Sequence, residues 1–90
     1  MKDNTLEIST KIKIIPEYMS KNYHEAIEKY KCDGGEVISF QQNNNDIFVT
    51  FFQENNNGEL LYSGSTSFEV THISIESFIK KIRPKAIKLN

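Results

Sequence analysis

Asp46-Ile47-Phe48-Val49-Thr50-Phe51-Phe52 is the one stretch of the chain that is apolar on both alternating faces. As a strand it sends Ile47, Val49 and Phe51 one way and Phe48 and Phe52 the other, so it needs cover on both sides. The flanking segments have simpler patterns. Leu6, Ile8, Ile12 and Ile14 alternate with polar residues, which predicts a half-buried strand over 6–14. From 17 to about 32 the period lengthens, with Met19, Tyr23, Ala26, Ile27 and Tyr30 on one helical stripe. Glu17 with Lys21 and Glu25 with Lys29 add i,i+4 pairs. Pro16 suits the first turn of that helix, and Asp33-Gly34-Gly35 suits its end.

Three strands are then predicted, at 36–42, 46–53 and 59–71, the last bending or breaking at Gly64. Asn-rich turns at 43–45 and 55–58 join them, since Asn and Gly accept the positive φ of hairpin loops. Ser74 caps a final helix whose buried stripe is Ile75, Phe78, Ile79 and Ile82, and Pro84 ends it. Residues 85–89 have room for a short edge strand. The expected fold is α+β, one domain over 1–90. It is an antiparallel meander in β-α-β-β-β-α order with two helices packed on one face.

Hairpin register decides which side chains share a face. A three-residue loop at 43–45 sets Phe40 opposite Phe48 and Ile38 opposite Thr50. A four-residue loop at 55–58 sets Phe52 opposite Leu61 and Phe51 opposite Tyr62. The helix-covered face then collects Val37, Ile47, Val49, Phe51, Leu60, Tyr62, Phe68 and Val70. The other collects Ile38, Phe40, Phe48, Phe52 and Leu61, edged by Thr50, Ser63, Ser65 and Ser67, the pattern of an interface. A C-terminal segment folded over this second face would make it ordinary core instead. A change of one residue in the first loop exchanges the faces of the 36–42 strand.

Composition narrows the classes further. Ninety residues with 38% hydrophobic and 11% aromatic content suit one modest core. The chain has no apolar run long enough for a bilayer and no charged-then-apolar secretory start. Cys32 is the single cysteine, so no intrachain disulfide forms, and a cytoplasmic location is expected. Asn-, Lys- and Ile-rich usage fits a bacterial or phage source with an AT-rich genome. The net charge of −1 conceals an asymmetry. Residues 36–79 carry six acids and no Lys or Arg, whereas 80–90 carry Lys80, Lys81, Arg83, Lys85 and Lys88 and no acid.

The candidate chemistry is sparse. His24-Glu25-Ala26-Ile27-Glu28 resembles H-E-x-x-H with Glu for the second His, and His72 is a conceivable third ligand. On the helical wheel His24 and Glu28 lie off the apolar stripe, so no metal site is expected. Cys32 at a helix C-terminus is disfavoured as a thiolate. Gly34-Gly35 stands in the reverse of P-loop order. Phe48-Val49-Thr50-Phe51 matches the last four positions of the first RNP motif of RNA-recognition domains. The preceding Asn44-Asn45-Asp46-Ile47 lacks its base, glycine and aromatic, so that family is not assigned. No enzyme and no cofactor are expected.

The sequence therefore favours a small non-catalytic protein-binding module of inhibitor, immunity or regulatory type. Its expected surface is Ile38, Phe40, Phe48, Phe52 and Leu61, and its first partner a second copy as a homodimer. The alternative is nucleic-acid binding through Lys80, Lys81, Arg83, Lys85 and Lys88, although no base stands beside the aromatics to hold phosphate.

Overall fold

The computed structural model describes residues 25–89, which form an antiparallel five-stranded sheet and one α-helix. The elements run β1 (Glu28–Lys31), β2 (Glu36–Asn43), β3 (Asp46–Glu54), β4 (Leu60–Glu69), α1 (Ile75–Ile82) and β5 (Ile87–Lys88). In space the strands lie in the order β4-β3-β2-β1-β5. The predicted strand at 6–14 and the first part of the predicted helix lie outside the described residues.

Within them, the helix expected to run to Cys32 is corrected. Residues 28–31 form β1, paired with β2 so that Tyr30 faces Ile38 and Glu28 faces Phe40. Lys29-Tyr30-Lys31-Cys32 alternates polar and apolar, and the ladder lets Tyr30 and Cys32 enter the core while both lysines stay out of it. That long-range pairing overrides the local helical stripe. Asp33-Gly34-Gly35 is accordingly a short 3₁₀ turn between two strands rather than a helix cap, with both glycines at positive φ.

The β2–β3 loop is one residue shorter than predicted. Asn43 pairs with Asp46, leaving Asn44 and Asn45 as the turn, with Asn44 at φ 60° and its carbonyl accepting from Gln42 Nε2 at 2.9 Å. Phe40 therefore faces Val49 and Ile38 faces Phe51. Ile38 and Phe40 thus join Ile47 and Val49 in the core beneath α1. Val37 crosses to the other face, opposite Phe52.

In β4 the first half is likewise shifted by one, with Phe52 facing Tyr62 and Gln53 facing Leu61. Asn55 organises this turn, its Oδ1 accepting from Asn57 N and Glu59 N at 2.9 and 3.0 Å. A bulge opposite Phe51 and Phe52, beside Gly64, then restores the expected alternation, and Phe68 and Val70 pack against the core as anticipated.

α1 forms as the pattern predicts. Ser74 Oγ accepts from Ser77 N at 3.1 Å, and Ile75 and Ile79 are buried with Phe78 and Ile82 packed beside them. Phe78 stacks on Phe68 at 4.5 Å and meets the edge of Phe40 at 6.1 Å. The expected C-terminal strand is present, and it pairs with β1.

Candidate protein-binding surface

The corrected registers divide the predicted surface. Ile38 and Phe40 are fully buried under α1. Phe48 and Phe52 belong to the second face, while Leu61 sits opposite Gln53 at the end of the first. The five residues do not share one face.

The second face itself is closed at its centre and open at its borders. Val37, Ser39, Thr50 and Phe52 are buried, with Phe52 at 0% exposure. Around them Phe48 is 42% exposed, Tyr62 40% and Ile87 68%, and Ile27 and Leu89 are also open. Exposed apolar area therefore stands toward the two sides of the sheet, not in its middle.

Those two sides differ in kind. The β5 side is a two-residue strand preceded by Pro84 and Lys85, the blunt ending expected where pairing is to be discouraged. The β4 side is a strand of ten residues, largely exposed, with no charged side chain from 60 to 68. In an antiparallel ladder, hydrogen-bonded pairs alternate with pairs whose amides and carbonyls point away from each other. Val70 N donates to Asn45 O at 2.8 Å, which makes Asn45 and Val70 a hydrogen-bonded pair. Counting back in the β3–β4 register, Ser65, Ser67 and Glu69 turn their main-chain groups outward, away from β3. No further strand lies there among the described residues. Tyr62 Oη donates to Ser65 Oγ at 3.1 Å along the same border.

This edge was not expected from the sequence. The signal was the uncharged run at 60–68, but its meaning depends on the last strand joining β1, which local pattern does not specify.

The C-terminal bases are largely engaged. Arg83 Nε and Nη2 donate to Glu36 Oε1 and Oε2 at 2.5 and 3.0 Å. Lys80 Nζ lies 3.2 Å from Glu76 Oε2, and Lys88 Nζ 3.9 Å from Glu28 Oε1. Lys81 and Lys85 make no ion pair among the described residues. A cleft of about 350 Å³ between α1, β1 and β5 has Tyr30, Ile79, Pro84 and Ala86 as its apolar lining. The charges at its rim are these same ion pairs, so it presents no unspent charge to a ligand.

The groups with displaced acidity are shifted toward inertness. Burial, reinforced by the Glu28 carboxylate that accepts its hydroxyl at 2.6 Å, pushes the Tyr30 phenol up. Burial, with Glu36 nearby, likewise raises the Cys32 thiol. Native Cys32 should therefore react with a disulfide reagent such as Ellman's only as fast as the protein opens, and promptly in denaturant. Rapid native labelling would contradict its burial. Glu28 belongs to β1 rather than to a helix, and His24 lies outside the described residues.

Comparison with protein families, curated proteins and solved structures finds no match, so function is argued from this chain's own residues.

Proposed function

We propose that the chain is a small non-catalytic protein-binding module, of inhibitor, immunity or regulatory type, which docks its partner along the outer edge of β4. The observation that carries this reading is the long edge strand, uncharged from 60 to 68, with outward main-chain groups. Such an edge is a template for an extended segment of another chain, and proteins ordinarily guard it. Among the described residues the opposite edge is guarded and this one is left open. Phe48 and Tyr62, exposed one strand in and on the edge itself, offer the partner apolar contact.

The non-catalytic part is supported by the raised Tyr30 and Cys32, which lack the acidity a nucleophile or general acid needs near neutral pH. Nucleic-acid binding through 80–88 is disfavoured because Arg83, Lys80 and Lys88 already face carboxylates.

The test is a partner capture repeated with edge variants. Ser65→Pro removes an outward N–H without touching the β3–β4 ladder, and Ser65→Ala keeps it. A partner that is retained by wild type and Ser65→Ala, lost with Ser65→Pro, and bound again as purified protein supports the reading. Binding insensitive to Ser65→Pro, or salt-sensitive DNA or RNA binding at about 0.15 M ionic strength that is lost on neutralising Lys81 and Lys85, overturns it.

A further inference from the structure

The β4 edge also carries side-chain chemistry arranged to complement itself. We propose that its occupant is a second copy of this chain, paired antiparallel through β4 about a two-fold axis at Ser67, so that two sheets become one. This rests on the protein-binding reading above and names its partner.

The outward main-chain groups belong to Ser65, Ser67 and Glu69. An axis at Ser67 sets Ser67 opposite Ser67 of the partner subunit. It sets Ser65 opposite Glu69 of the partner subunit, and Glu69 opposite the partner's Ser65. The Ser67 pair then makes both of its main-chain bonds, and each Ser65–Glu69 pair adds one through Glu69 N, because the Glu69 carbonyl already accepts from His72 N at 3.0 Å; the seam has about four main-chain bonds. An axis at Ser65 would instead pair Ser67 with Ser63 of the partner subunit, at the bulge, where the ladder is interrupted.

The side chains agree with that register. Ser65 Oγ accepts from Tyr62 Oη, so its own hydroxyl hydrogen remains to be donated. Glu69 is exposed and its Oε1 lies 3.3 Å from His72 Nδ1, so carboxylate lone pairs remain to accept. The two-fold axis brings this donor and this acceptor face to face twice. It also keeps the two Glu69 carboxylates apart, one at each end of the seam, whereas parallel pairing would stack them. Residues 60–68 carry no charge, so with the Glu69 carboxylates at the two ends no like charges meet along the seam. In this arrangement faces are preserved: both α1 helices lie on one side of the joined sheet, and both Phe48 side chains lie on the other. The seam is short, which places the dimer among weak interfaces.

The test is sedimentation of the whole chain from about 10 µM to about 1 mM. Wild type should pass from 10.4 kDa to twice that mass. Ser67→Lys puts two ammonium groups on the axis and Ser67→Glu two carboxylates, so each variant alone should lose at least about tenfold in affinity. An equimolar mixture of the two should dimerise again. Far-UV circular dichroism confirms that each variant is folded, since residue 67 is exposed. A wild type that stays at 10.4 kDa throughout, or variants that dimerise like wild type, overturns the second-copy assignment. Recovery absent from the mixture also overturns it, because only self-pairing predicts rescue. The Ser65→Pro capture above is independent of these outcomes, so failure here leaves a foreign partner to be judged there.

Discussion

Replacing Phe40 by alanine should cost about 3–5 kcal/mol of stability, the range for truncating a fully buried aromatic. Phe40 is 0% exposed and lies between Tyr30, edge-on at 5.6 Å, and Phe78 at 6.1 Å, so a cavity there has walls on two elements and collapses poorly. A domain of this size holds on the order of 5–15 kcal/mol in total, so the variant should be near or past its limit at 37 °C. Phe48→Ala, on the neighbouring strand and 42% exposed, should cost less than about 1 kcal/mol. Urea unfolding of the two variants measures the difference. Equal costs would mean that the β2–β3 register is not the one described. The comparison is pointed because the sequence pattern alone groups Phe40 and Phe48 on one exposed face.

The second large effect concerns the link between α1 and the sheet. Arg83 caps the helix and reaches Glu36 at the start of β2 with two hydrogen bonds. These bonds outweigh partial burial and hold the Glu36 carboxyl below its ordinary value of 4.5. A carboxyl whose acidity is depressed on folding contributes stability that is complete above the unfolded value. That stability is lost as pH falls through the folded one. Glu36→Gln should therefore cost about 1–2 kcal/mol at pH 7, a figure reduced because the Arg83 side chain is 41% exposed. As pH falls below 4.5 and through the depressed folded value the wild type should lose that advantage, and the two unfolding midpoints should converge. A gap of unchanged size at low pH would mean that the pair is not what Glu36 contributes.

Much of the fold can be read from residue pattern, and its failures have local causes. β2, β3 and α1 are set by alternation and by a serine cap, signals that act within a few residues. Pattern misplaces β1 because Tyr30 fits both the helical stripe that it shares with Ala26 and Ile27 and a two-residue alternation with Cys32. Only the partner strand decides between them. The candidate surface fails at two turns: Asn43 belongs to β2 rather than to its turn, which moves Ile38 and Phe40, and the start of β4 is shifted by one against β3, which moves Leu61. Three consecutive asparagines all tolerate either place, so local chemistry is silent while Ile38, Phe40 and Val37 change sides. Of the five proposed contact residues, Phe48 alone combines the predicted face with substantial exposure. The open edge of β4 was beyond local pattern, since an edge is defined by which strand fails to arrive.

The place of β5 has a consequence for the time order of folding. β2, β3 and β4 are joined by turns of a few residues, so their pairing closes small loops at little entropic cost. β5 must find β1 across nearly the whole described length, with Tyr30 meeting Lys88. Contacts of that separation form late and slow the overall rate. The Arg83–Glu36 pair stands just before β5 and anchors α1 to the finished meander, so it shortens the remaining search to the few residues that follow. The same sequence runs backward in the native protein. The two-residue ladder and the Leu89 N to Lys29 O bond should exchange their amide hydrogens through local fraying, long before the hairpins open.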